Sequence, residues 1–160
     1  MSQIITYVKG DLFTGNGRIL AHACNCHGSW GAGVAVGFKT HFPSTYSVHQ
    51  QHCHQYKTQE ERRKYLLGKC QLIPIKEKPS SYVACLFTSD SFGGQVDGPP
   101  QIVQATKLAM EDLVAQLKEH GLENEPVDMP KINAGLFRVP WSETEKVLKE
   151  VGHPVRVFEL

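Results

Sequence analysis

The sequence has no surplus of either charge: 17 Lys and Arg stand against 16 Asp and Glu, a formal net charge of +1 over 160 residues. So weak a balance does not draw a chain to a phosphate backbone unless the charges segregate on its surface, and nucleic acid is not an expected partner. No uninterrupted apolar run approaches the ~18 residues of a membrane span, so no membrane is expected either. The opening segment Met1–Leu12 lacks the basic head and apolar stretch of a secretory signal, which makes a cytoplasmic or nuclear location the expectation. Cysteine is scarce and odd in number, with five residues, and reads as reduced thiols rather than a disulfide framework. What remains is 41% apolar and 21% charged, the composition of one globular domain, residues 1–160, expected to be a monomer.

Short β-branched runs predict strands at 4–8, 18–24, 69–75, 82–88, 129–132 and 155–158, and helical periodicity predicts helices over 33–41, 44–55, 100–119 and 142–150. The third helix is the clearest: Ile102, Ala105, Leu108, Ala109, Leu113 and Leu117 form an i, i+3, i+4 stripe closed by Gly121. Strands interleaved with helices imply a three-layer α/β/α sandwich around a mixed central sheet. Residues 56–64, 76–81 and 122–128 are polar and read as surface connections.

Glycine concentrates where a site would be. Between a strand and a helix lies His22-Ala-Cys-Asn-Cys-His-Gly-Ser-Trp-Gly-Ala-Gly-Val-Ala-Val-Gly37. Gly28, Gly31 and Gly33 let the backbone approach a ligand closely, and a helix starting near Gly33 offers unpaired N–H groups to phosphate. Familiar phosphate motifs fail the comparison. Gly10 and Gly15 have Walker-A spacing, but Asn16 stands where Lys is needed. No acidic residue follows Gly33 within about twenty positions to bind a ribose diol in the Rossmann manner. No cysteine is followed six positions later by Arg, no Asp-x-Asp pair exists, and Ser29, flanked by Gly28 and Trp30, does not fit the G-x-S-x-G nucleophile elbow. A second glycine loop, Met129-Pro-Lys-Ile-Asn-Ala-Gly-Leu-Phe-Arg-Val-Pro-Trp141, could clamp a diphosphate from the other side, and Tyr7-Val-Lys-Gly-Asp-Leu12 ends a strand in an Asp able to accept from an adenine amine.

Together the segments 8–12, 22–35 and 132–141, with Cys85-Leu-Phe-Thr-Ser89 as a further landmark, resemble a macro domain over nearly the whole chain. Within that family the Asn-Cys-His-Gly-Ser-Trp-Gly wording is most similar to the fungal ADP-ribose 1″-phosphate phosphatases. The resemblance implies an ADP-ribose cleft at the carboxyl edge of the sheet. Gly10, Asp11 and Leu12 match the adenine site. Ala23, Cys24 and Asn25 match the segment beside the distal ribose, with the Asn25 amide binding hydroxyls. Trp30, Gly31, Ala32, Gly33, Val34 and Ala35 match the first diphosphate loop. Ile132, Asn133, Ala134, Gly135, Leu136, Phe137 and Arg138 match the second, with Phe137 covering the ribose. Relatives that open the distal ribose through a lysine adduct carry Lys at the position of Ser89 and Asp at that of Phe137, which leaves attack by water here.

The implied activity is hydrolysis of the distal-ribose phosphomonoester to ADP-ribose and phosphate, needing neither metal nor cofactor, with removal of ADP-ribose from modified proteins as a further activity. The alternatives are a non-catalytic ADP-ribose-binding module and an O-acetyl-ADP-ribose deacetylase. His22 is the expected base, Ser29 with the loop amides the phosphate holder, and Asp90 a second acid–base candidate. His49, His52 and Cys53 have a helical spacing compatible with zinc, yet lack a fourth ligand and read better as an exposed polar face. Cys24 and Cys26 read as packing residues, Trp30 as a ligand contact, and Arg62-Arg-Lys64 as a solvated charge run.

Overall fold

Alternation along residues 19–25 and 82–89 decides the architecture. Ile19 and Ala21 point into one apolar cluster while Leu20 and Cys24 point into another, and Ala84 and Leu86 alternate in the same way with Val83, Cys85 and Phe87. A sheet whose central strands are apolar on both faces must be covered on both. In the computed structural model, which describes residues 3–160, it is.

The chain runs β1 (Ile5–Lys9), β2 (Ile19–Asn25), α1 (Val34–His41), α2 (Pro43–His54), α3 (Gln59–Tyr65), β3 (Cys70–Pro74), β4 (Tyr82–Ser89), α4 (Pro99–Glu119), β5 (Val127–Met129), α5 (Trp141–Val151) and β6 (Val155–Glu159). The strands form one mixed sheet in the order β1-β6-β5-β2-β4-β3, parallel except for the antiparallel β3–β4 pair. The three-layer α/β/α sandwich expected from the sequence is the fold that forms. One core joins the sheet to α4 and α5 through Ala109, Met110, Leu113, Leu117 and Leu148. The other joins it to α1 and α2 through Phe38, Phe42 and Cys53. Among the described residues no helix is long and apolar enough to cross a membrane.

The elements depart from the sequence reading in several places. Residues 59–65, read as a surface connection, form α3. It buries no residue and has no apolar stripe, but its start is fixed by a capping box in which Thr58 Oγ1 accepts from Glu61 N at 3.1 Å and the Glu61 carboxylate accepts from Thr58 N at 3.3 Å. Arg62 is not simply solvated: its Nε donates to Asp90 Oδ1 at 2.9 Å. The fifth strand lies earlier than 129–132, because Pro130 has no N–H to extend the ladder and Asp128, inside the strand, is held by Arg156 of β6 at 2.7 Å. Leu108 stands off the buried stripe of α4 and is exposed, covering Gly68 instead.

The face of α2 carrying His49 and Cys53 points into the core, not to solvent. The His49 ring stacks 4.8 Å from Trp30 and 5.6 Å from Phe87, and its Nδ1 lies 3.1 Å from Gln71 Oε1. All five cysteines are free and buried. Burial pushes the Cys26, Cys70 and Cys85 thiols far above the usual range and the Cys53 thiol up to about 12.

Burial also lowers the His49 pKa, an effect only partly offset by the nearby Cys24. Below about pH 6.5 the unfolded chain therefore takes up a proton at this residue that the folded chain refuses, and stability falls as pH drops through that point. The melting temperature should decline between about pH 7.5 and about pH 5.5, and His49→Phe should flatten part of that slope. A slope unchanged in the variant would place the pH sensitivity elsewhere.

Candidate active site

β2 and β5 are neighbouring parallel strands, so the loops that leave their carboxyl ends emerge side by side at one edge of the sheet. The loop after β2 leads to α1 on one face, and the loop after β5 leads to α5 on the other. Connections that diverge in this way leave a crevice between them, the switch point at which open α/β sheets bind ligands. Here it is a cleft of about 780 Å³.

The first loop is shaped by Asn25. Its Oδ1 accepts from the amides of His27 at 2.9 Å and Ser29 at 3.4 Å, and its Nδ2 donates to the Ser29 carbonyl at 2.9 Å. Gly28 turns the chain with φ of 74° against α2, where a Cβ would lie 3.3 Å from Cys53 Cβ. Beyond it, the amides of Gly31, Ala32, Gly33, Val34 and Ala35 have no acceptor among the described residues, while Val36 N turns back to the Gly33 carbonyl at 3.2 Å. Gly33 has φ 64° and ψ −148°, a region essentially closed to residues with a side chain, and it caps α1.

The second loop is shaped by Asn133. Its side chain is buried, accepting from Thr88 Oγ1 of β4 at 2.9 Å and donating to Thr106 Oγ1 of α4 at 2.9 Å. A longer contact of 3.5 Å reaches Thr144 of α5. Its carbonyl accepts from Val139 N at 2.9 Å, closing the loop at its base. The amides of Gly135, Leu136 and Phe137 are left without acceptors among the described residues. Leu136 reaches across to Gly33, where a Cβ would come within 3.3 Å of its Cδ1.

Of the residues expected at the site, Ala23, Cys24, Asn25, Ser29, Trp30, Gly31, Ala32, Gly33, Val34, Ala35, Ile132, Asn133, Gly135, Leu136, Phe137 and Arg138 line the cleft. Ala134 is exposed just outside it. Gly10, Asp11 and Leu12 are also outside: Leu12 is buried, and the exposed Asp11 carboxylate accepts from Phe13 N at 2.9 Å. Pro130, Lys131, Phe92 and Gly93 complete the wall. Phe92 and Gly93 were missed by the sequence reading. The available signal was an aromatic followed by two glycines directly after β4.

Several expected roles need correction. His22 is fully buried and outside the cleft lining, its ring stacked 4.0 Å from Phe38 and edge-on to Trp30 at 4.8 Å. In this arrangement it reaches no water at the cleft. Asp90 is 2% exposed, paired with Arg62, and likewise off the lining. Trp30 is 1% exposed and tilted against Tyr46 at 5.1 Å, so its indole belongs to the core beneath the loop rather than to a ligand. The Asn25 and Asn133 amides are committed to the protein, which leaves backbone to face the cleft. Phe137 is mostly buried against Ile102 and Val139. Ser89 shapes the loop after β4, donating to the Ser91 carbonyl at 2.8 Å and accepting from Asp97 N at 3.0 Å.

No Asp or Glu lines the cleft, whereas Lys131 and Arg138 do. Lys131 is paired with Glu159 at 2.6 Å. Unpaired amides from two loops, the positive end of α1 and the Arg138 guanidinium, with no carboxylate in the lining, make a site for a polyanion.

The macro domain family model matches residues 21–148. Curated relatives named ADP-ribose 1″-phosphate phosphatase include one from Meyerozyma guilliermondii, 45% identical over 91% of this chain and 93% of its own. Another, from Saccharomyces cerevisiae, is 38% identical over 91% and 92%. Among solved structures, the macrodomain of Mycobacterium tuberculosis DarG superposes with a TM-score of 0.75 at 19% identity, covering 99% of both chains. Thermosipho africanus DarTG in complex with ADP-ribose gives 0.74 at 19% identity, covering 98% of this chain and 42% of that one.

Two substitutions test how the loops are built. Asn133→Leu should lower stability by about 2–4 kcal/mol, because it strands the Thr88 and Thr106 hydroxyls in the core. Denaturant unfolding reads this directly, and a loss below about 0.5 kcal/mol would show that the hub is dispensable. Gly33→Ala should leave the melting temperature within a few degrees but cut affinity for a nucleotide diphosphate ligand roughly tenfold or more, since it strains the turn that aims the amides. Unchanged affinity would remove this loop from the site.

Proposed function

The chain belongs to the macro domain family, and from that premise we propose that it is a hydrolase of ADP-ribose 1″-phosphate, releasing ADP-ribose and inorganic phosphate. The carrying observation is the acid-free cleft walled by two sets of unpaired amides, on a chain about 40% identical over nearly its full length to relatives bearing that name. The diphosphate lies between the loop carrying Gly31 to Ala35 and the loop carrying Gly135 to Phe137. The distal ribose lies toward Ala23, Asn25 and the partly covered Phe137 ring. The adenine extends past α1 toward Asp11, whose exposed carboxylate accepts from the exocyclic amine.

The 1″-phosphate then falls near Ser29, which lines the cleft and whose backbone Asn25 fixes at both ends. Its hydroxyl and the neighbouring amides neutralise the phosphoryl oxygens. Water adds to phosphorus, the bond from phosphorus to the ribose oxygen breaks, and that oxygen leaves with a proton as the 1″-hydroxyl. Hydrogen bonds to a charged group contribute about 1.5–3 kcal/mol each, so a preorganised cluster of such donors supplies much of the barrier reduction without a covalent intermediate. Ser89 and Phe137, standing where a lysine-adduct mechanism needs Lys and Asp, support attack by water.

Calorimetry should show ADP-ribose binding, and the 1″-phosphate should release phosphate at a rate unaffected by a chelator. Ser29→Ala should slow release roughly tenfold to a hundredfold while ADP-ribose affinity stays within about threefold. Asp11→Ala should weaken every adenine-containing ligand by about tenfold and leave kcat nearly unchanged. ADP-ribose binding without phosphate release would make the protein a binding module, and release of acetate from O-acetyl-ADP-ribose in its place would make it a deacetylase.

A further inference from the structure

The residue that fails to reach the cleft as a base has an unusual environment of its own. His22 and Cys24 sit two apart on β2, and Cys85 is the β4 residue paired with His22. The pleat therefore sends all three side chains to the same side of the sheet, into the core beneath α1 and α2. All three are buried, and their ligating atoms lie within 4.8 Å of one another. Cys24 Sγ is 3.6 Å from His22 Nε2 and 3.8 Å from Nδ1, and among the described residues neither ring nitrogen has an oxygen or nitrogen partner. A buried imidazole whose nitrogens meet only sulfur is poorly satisfied by hydrogen bonding, because thiols are weak donors and weak acceptors.

We propose that His22, Cys24 and Cys85 form a binding site for one thiophilic d10 cation, with Zn2+ as its occupant and a water from the cleft, which Cys24 lines, as the fourth ligand that the His49, His52 and Cys53 set lacks. Zinc bonds of about 2.0 Å to nitrogen and about 2.3 Å to sulfur place those atoms about 3.6 Å apart at a tetrahedral angle. The Cys24–His22 separation already has that value. Two thiolates, one neutral imidazole and one Zn2+ sum to zero charge, which an apolar core tolerates, whereas Cu+ on the same ligands leaves a net negative charge. Binding is balanced by loss of the two thiol protons to bulk water. Cys24 is the only one of the three that lines the cleft, so the ion enters through the cleft floor. Phe38 beneath the His22 ring and Trp30 at its edge hold the imidazole in place. An ion there cross-links β2 to β4 immediately before the first phosphate loop.

Metal-free protein, equilibrated with ZnCl2 or refolded in its presence, should retain one equivalent against a competing chromophoric chelator, with release of about two protons. Cobalt(II) in place of zinc should give thiolate charge-transfer absorption and the visible bands of a tetrahedral site. Cys85→Ser should weaken retention at least about a hundredfold, whereas Cys70→Ser, altering a buried thiol on the opposite side of the sheet, should change it less than about threefold. Should the Cys85 variant not fold, the wild-type cobalt spectrum decides. Octahedral cobalt without charge transfer, equal zinc retention in wild type and Cys85→Ser, or retention of Cu+ but not Zn2+ would each overturn the assignment.

Discussion

The cleft depends on one buried side chain whose amide is held by other protein side chains. Asn133 connects the end of β4, the middle of α4 and, at longer range, the start of α5, and its own backbone closes the second loop through Val139. It does so with φ of 66°, a conformation that asparagine tolerates better than other residues bearing a side chain. The strain and the desolvation of the amide are offset because both ends of that amide are satisfied. With the loop's base fixed, the amides from Gly135 to Phe137 have nowhere to turn but the crevice.

Asn25 plays the same part in the first loop by a more local route, taking two amides and one carbonyl from within four residues. The two asparagines thus act as scaffolding, and the anion-binding chemistry passes to main-chain N–H groups. Such donors carry no side-chain entropy and do not titrate, so they are already oriented when charge develops at a phosphoryl group. The absence of any carboxylate from the lining follows the same logic, since one buried negative charge there would oppose each phosphate. The leucine of the second loop lying over Gly33 shows how closely the two loops approach.

The face of the sheet beneath the first loop is dense with soft and aromatic groups: His22, Cys24, Cys85, Trp30, Phe38, His49 and Phe87. Polar atoms in that layer meet sulfur or ring faces more often than oxygen. Burial in that layer lowers the basicity of His49, and the same packing brings three ligating atoms around one point.

The fold was largely legible in the sequence because period-2 and period-3.6 patterns report burial directly: the strands from Ile19 and Tyr82 and the helix ending at Glu119 fell where the patterns put them. The polar helix from Gln59 escaped because it buries nothing, although Thr58 and Glu61 signalled its start. The glycine loops and the two asparagines marked where the cleft opens, since backbone that approaches a ligand needs glycine wherever it occurs. What the one-dimensional pattern could not decide was which way a side chain in the site points. His22 and Asp90 are chemically suited to catalysis, yet the sheet's pleat turns one into the core and an arginine four helical residues past a cap holds the other. Residue type and spacing set the elements and the loops. Only the packing of strand on strand and helix on sheet decided which groups face the cleft, because that choice rests on contacts between residues far apart in the chain.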